Sequence, residues 1–196
     1  MLGPLRSTSN ASWNRRVFLN SRTDQTSDAD HESAIGPAFD FVAVWPQASA
    51  EDADAIRGFW RSEKALDSDA AMDQRLPQVV MYARTSAGDV AGVCTAIAVT
   101  PQQLGQPVYY WRTFVGAAWR SSKLVMALLK RSCVLLDDYS REHGFPCIGV
   151  LLELENKRFA NVGRRAEWHN PRFIYVGRSE RGLDVRVHYF HGARLK

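Results

Sequence analysis

Between residues 108 and 125 the chain changes character in a way that could serve an anionic ligand. An aromatic-rich run at 108–115, ending in Thr113-Phe114-Val115, passes through Gly116-Ala117-Ala118-Trp119-Arg120-Ser121-Ser122 into an amphipathic stretch. The first turn of a helix presents N–H groups with no intrahelical acceptor, together with the positive end of the helix dipole, and a diphosphate suits both. Arg120 and Lys123 add positive charge there, and the small residues at 116–118 would let a ligand approach the main chain. Many helices begin with Ser and Arg, so the junction alone is not decisive. A second candidate lies downstream, where the apolar run 147–154 is interrupted by Glu153 and soon followed by Asn156. Carboxylates desolvated by apolar neighbours suit proton transfer near neutrality, which makes Glu153 a candidate general base. The competing reading is an edge carboxylate paired with one of the many arginines.

The elements that would position these residues follow from periodicity. Residues 39–45 alternate, with Phe39, Phe41, Ala43 and Trp45 on one side, and Pro46 closes the strand. Ser49 followed by Asp52 resembles a capping arrangement for a helix over 50–66, where Ile56, Phe59 and Trp60 fall at helical spacing. A second short helix is expected over 67–75, ended by Pro77. Strands at 78–84 and 90–99 flank a turn with Gly88 where a positive φ is easiest, and a strand at 108–115 follows a loop. Val125, Leu128, Leu129, Cys133, Leu136 and Tyr139 form a helical stripe that Gly144 and Pro146 stop. A strand at 147–154, a short helix at 156–163 begun by Asn156, and strands at 172–178 and 184–190 complete the order.

At 196 residues, 45% of them hydrophobic and 23% charged, the chain has globular composition and length for one domain plus a tail. No run approaches the length of a membrane span. Residues 1–36 are rich in Ser, Thr and Asn and are expected to be a disordered or targeting extension, with the domain proper over 37–196. A cytoplasmic location is expected, with export or organelle targeting left open by that basic, Ser-rich extension. Charge is uneven. The last 41 residues hold ten basic and three acidic side chains, a local net of +7, which favours anionic partners. Cys94, Cys133 and Cys147 sit among apolar residues without paired spacing, so reduced core thiols are expected rather than disulfides or metal ligands.

The order β-α-(α)-β-β-β-α-β-α-β-β resembles the GCN5-related N-acetyltransferase (GNAT) superfamily, over nearly all of 39–195. That family's cofactor loop reads Val, three residues, an aromatic, then Arg/Gln-x-x-Gly-x-Gly/Ala opening a helix. Here Val115, Trp119 and Arg120 fall in register, and Asn156 and Trp168 match the spacing of a later motif. Lys123 and Val125 stand where the family prefers Gly and a small residue, Gly163 where many members carry an acidic Tyr, and Glu167 where they carry Gly. The resemblance implies an α/β (α+β) fold with a mixed sheet of about seven strands, splayed between the fourth and fifth and flanked by about four helices. It also implies acyl transfer from acetyl-CoA or another acyl-CoA to an amine, on a small molecule or a protein, by direct attack. Main-chain groups of Phe114 and Val115 would hold the pantetheine arm, with Asn156 on its other side. Amides of Ser121, Ser122, Lys123, Leu124 and Val125, with Arg120, would take the diphosphate, and Glu153 would be the base. Tyr109, Tyr110 and Tyr175 could replace the missing acid. The alternative is a GNAT-like binding or regulatory module that has lost turnover. A nucleic-acid surface built from Lys157, Arg158, Arg164, Arg165 and Arg172, with Trp168 as stacking residue, ranks last, and no nucleic-acid partner is expected. Acceptor, acyl length and oligomeric state are not legible.

Overall fold

In the computed structural model, which describes residues 38–120, 123–155 and 165–195, eight strands form one sheet in the order β1-β2-β3-β4-β5-β8-β7-β6. The strands are β1 (Asp40–Ala43), β2 (Val79–Arg84), β3 (Val90–Val99), β4 (Val108–Val115), β5 (Gly149–Glu153), β6 (Glu167–His169), β7 (Arg172–Arg178) and β8 (Asp184–Tyr189). Neighbours pair antiparallel except β4 and β5, which run parallel. Helices α1 (Ala50–Ser62) and α2 (Asp69–Arg75) pack on one face and α3 (Leu124–Glu142) on the other. The expected strand count is exceeded by one. Strand β6 has three residues, too few for alternation to register, and it exists because Trp168 pairs opposite the buried Phe173 of β7. The helix expected at 156–163 and the extension at 1–36 lie outside the described residues. No described helix is long and apolar enough to cross a membrane.

Local chemistry accounts for the helix starts. The Asp52 N–H donates to Ser49 Oγ at 3.1 Å, and the Ser49 hydroxyl donates back to Asp52 Oδ2 at 2.6 Å, so α1 is capped as the sequence predicts. Ser68 caps α2 in the same way, accepting from the Ala71 N–H. Two ion pairs, Arg57–Asp73 at 2.8 Å and Arg61–Asp69 at 2.9 Å, tie α2 to α1. They fix the end of α2, and with it Arg75, relative to the sheet.

Both faces of the sheet carry core. Ile56, Phe59 and Trp60 of α1 pack with Met72, Tyr82 and Val93, while Leu124, Leu128, Leu129, Cys133 and Leu136 of α3 pack on the opposite face. Helix α3 sits rotated from the expected stripe: Leu124, Ser132 and Ser140 are buried, and Val125 and Tyr139 only partly so. Close approach favours glycine at position 92 and demands it at position 149. A Cβ on Gly92 would lie 3.4 Å from Leu124 Cδ2 and 3.2 Å from Val115 Cγ2, so this residue lets α3 settle onto β3 and β4. A Cβ on Gly149 would lie 2.3 Å from the His188 carbonyl oxygen, inside contact distance.

The three cysteines are free and buried. Burial pushes the Cys94 thiol up to about 11, Cys147 to about 11 and Cys133 to about 12.

Two outcomes follow. Gly149→Ala should lose about 1–3 kcal/mol, the range for an overpacked site, read as a lower urea midpoint; an unchanged midpoint would mean that β5 and β8 do not approach this closely. The folded thiols keep their protons to higher pH than unfolded ones do, so their contribution to stability is complete below pH 9.0, the unreleased value, and is lost as pH rises toward about 11. Urea midpoints between pH 8 and 11 should therefore fall, and Cys94→Ala should flatten part of that slope.

Candidate active site

Strand β4 is held to β3 over its full length, with Val108 opposite Val99 and Val115 opposite Gly92. Its pairing with β5 is confined to Tyr109–Val150 and Tyr110–Leu151. Beyond Tyr110 the strands part, as expected between the fourth and fifth, and a cavity of about 910 Å³ opens there. That size lies in the range of small-molecule sites. Its walls include Trp111, Phe114 and Val115 of β4, Leu152 and Glu153 of β5, and Val125 and Leu129 of α3.

Strand geometry decides which peptide groups face this notch. The Gly116 N–H donates to the Ala91 carbonyl at 2.9 Å, and alternation along an antiparallel ladder then turns the N–H and C=O of Phe114 toward β3 and those of Thr113 and Val115 toward β5. Of the two residues expected to hold a ligand through their main chain, Val115 has its peptide groups on the notch side, with its carbonyl bonded to Arg120 Nε. Phe114 contributes its ring instead, edge-on to Phe59 with centroids 5.9 Å apart. Thr113 was missed because a two-residue periodicity alone does not say which set of peptide groups the neighbouring strand consumes.

Glu153 stands where β5 meets the notch, but its setting is not simply apolar. Its Oε2 accepts from the Tyr110 hydroxyl at 2.9 Å and from Arg181 Nη1 at 3.1 Å, and Arg181 Nη1 also reaches Glu155 at 2.7 Å. The side chain is 15% exposed, and among the described residues its Oε1 has no hydrogen-bond partner. Both sequence readings of Glu153 thus meet in one residue, a cavity-wall carboxylate that is also ion-paired. Burial, then the bond to Glu153, raises the Tyr110 phenol above its ordinary value and keeps it a donor. Arg112 lies over the Tyr110 ring at 4.4 Å.

The three tyrosines separate cleanly. Tyr109 is 4% exposed and packs against Trp45 and Phe190, a core residue whose phenol burial pushes well above the usual range. Tyr175 sits on β7 outside the cavity wall. Tyr110 alone of the three lines the cavity. Trp168 is 9% exposed, packed against Phe173 and under the Arg186 guanidinium 4.6 Å from its ring, and what it exposes borders the cavity.

The turn after β4 is a 3-10 helix, Ala117–Trp119, leading to α3. The space beside Gly116 is filled: a Cβ there would meet Glu63 Oε1 at 2.9 Å and Phe59 at 3.3 Å. Glu63, the C-cap of α1, also accepts from the Ala117 N–H at 3.0 Å. The small residues 116–117 therefore admit α1 where the sequence suggested a ligand. Sequence reasoning missed Glu63, which nothing local to it marks. Arg120 is exposed, donates through Nε to the Val115 carbonyl at 3.3 Å and lies 5.7 Å over Phe114. Lys123 is exposed and is not part of the cavity wall, Leu124 is 1% exposed in the core, and Val125 forms wall without closing it. Ser121, Ser122 and Asn156 lie outside the described residues, as do Lys157, Arg158, Gly163 and Arg164.

No protein-family model matches the chain, and no curated protein matches it. Solved structures do. The chain is similar to a GCN5-related N-acetyltransferase from Kribbella flavida, with a TM-score of 0.52, 18% identity, and 78% of this chain and 98% of that one covered. It is similar to a GNAT-family acetyltransferase from Streptococcus pneumoniae at a TM-score of 0.51 and 13% identity, covering 79% and 100%. A third, from Listeria monocytogenes 4b F2365, gives a TM-score of 0.50 and 16% identity, covering 81% and 99%. The GNAT resemblance carried by the residue motifs holds at the level of fold.

Proposed function

We propose that this GNAT-type fold transfers an acyl group from acetyl-CoA or another acyl-CoA to an amine. The observation that carries the reading is the notch itself: β4 and β5 part after two register pairs, beside a cavity of about 910 Å³, with peptide groups of Thr113 and Val115 turned into it. An extended arm carrying amides needs strand groups that no neighbouring strand consumes, and the residues present fit it once the Arg120 Nε bond to the Val115 carbonyl yields. Bound there, a thioester would supply an electrophilic acyl carbon and a thiolate leaving group.

Amide formation takes two protons from the ammonium nitrogen as the C–S bond breaks; one goes to the chain and the other would neutralise the departing thiolate, so the chain's own part is to hold, orient and move the first. Thr113 and Val115 bond the arm through their main chain, Phe114 walls it, and Asn156 completes the grip. Arg120, Ser121, Ser122, Lys123, Leu124 and Val125 seat the diphosphate, with Arg120 and Lys123 as its cations. The Arg120 and Lys123 heads meet no carboxylate among the described residues. Glu153 takes the proton that the acceptor ammonium must lose, at Oε1 or through a water, while Tyr110 and Arg181 fix its other oxygen. Positioning supplies much of the rate, because no covalent enzyme intermediate is needed.

Calorimetry with acetyl-CoA and longer acyl-CoAs should show saturable binding, and silence at millimolar concentration would remove the proposal. Glu153→Gln should leave that binding unchanged and lower kcat for amine acylation by roughly 10²–10⁴-fold, the usual span for a general base. Undiminished turnover in that variant would assign the proton to another group.

A further inference from the structure

One side of the notch carries two cations that no carboxylate of the described residues neutralises. Alternation along β4 puts Tyr110, Arg112 and Phe114 on the face covered by α1 and α2, and all three line the cavity. Arg75, the last residue of α2, lines it as well and is half-buried. Ion pairs occupy Arg57, Arg61, Arg84, Arg141, Arg172, Arg178 and Arg181. Neither Arg75 nor Arg112 meets a carboxylate among the described residues. Both line the same cavity wall, and burial, then the Arg112 charge, holds the Arg75 guanidinium below its ordinary value. Arg112 lies on the Tyr110 ring, which fixes its orientation but supplies no counter-charge.

Arg112 is exposed and Arg75 half-buried, so solvent screens their repulsion; an anion between them would add charge-assisted bonds, and their planar forks match the oxygens of a carboxylate or phosphate. The arrangement is held from outside the cavity. Arg57–Asp73 and Arg61–Asp69 clamp α2 on α1, and β4 is zipped to β3 over its full length. The candidate base is one side chain away, because the Tyr110 ring under Arg112 carries the hydroxyl that bonds Glu153.

We infer that the acceptor is a small amine that also bears an oxyanion, a carboxylate or a phosphate, with the amine at Glu153 and the oxyanion on Arg75 and Arg112. The inference rests on the acyl-transfer reading for the fate of the amine. The anion seat, however, can be measured without any turnover.

The test is calorimetry on the full chain without acyl-CoA. Each standard amino acid is titrated beside its decarboxylated amine and, as the phosphate arm, its aminophosphonate analogue. At least one anionic member should bind tenfold or more tightly than its matched amine. Whichever arm is tighter identifies the oxyanion. Arg112→Gln and Arg75→Gln should each abolish that preference, whereas Arg112→Lys, which keeps the charge and loses the fork, should retain part of it; circular dichroism checks that each variant is folded. If no anionic member outbinds its amine, or if the preference survives both Gln variants, the inference is overturned. Failure of acyl-CoA binding in a parallel titration, with the anion preference intact, would instead count against the acyl-transfer reading alone.

Discussion

The site depends on a parallel pairing that stops early. Had β4 and β5 continued their ladder beyond Tyr110 and Leu151, the peptide groups of Thr113 and Val115 would be spent on Glu153 and its neighbours, and no cavity would exist. Each strand can leave the other because each is secured on its far side, β4 by β3 and β5 by β8. The cost of unpaired backbone in a sheet interior is tolerable where solvent or a ligand can reach it. Gly149 sits at the base of this junction, where the β8 backbone comes too close for any side chain. The notch is therefore set by packing at its closed end.

Much of the frame was legible. Strand 108–115 has the observed limits because aromatic and β-branched residues, interrupted by Arg112 alone, fill the span between Pro107 and Gly116, and the Ser49 and Asp52 cap forms as its spacing implies. The splay between the fourth and fifth strands followed from the motif resemblance and not from periodicity, which carries no information on pairing. Strand β6 was invisible because three residues hold no period, and its stability comes from the partner strand. The rotation of α3 was also out of reach: Ser132 reads as polar surface, yet it is buried, donating to the Leu128 carbonyl at 2.8 Å and lying 3.2 Å from Cys94 Sγ.

The site was legible by residue more than by environment. Glu153 stood out as a lone carboxylate in an apolar run, and the structure does place it on the cavity wall. Its partners Tyr110 and Arg181 are 43 and 28 residues away in the chain, contacts that only the sheet order creates. Arg75 and Arg112 carried no local signal at all. Among the described residues they meet no carboxylate, which the sequence alone does not reveal.

Glu63 links regions that the cavity otherwise keeps apart. Its carboxylate ends α1, which lines the acceptor wall through Trp60, and the same carboxylate fills the space beside Gly116 and holds the Ala117 amide at the entry to the turn below α3. A shift of that turn strains or releases this contact, and α1 registers the difference; a shift of α1 reaches the turn by the same route. Free-energy linkage of this kind runs equally in both directions. Glu63 is thus a single contact on which a displacement of either α1 or the turn would bear.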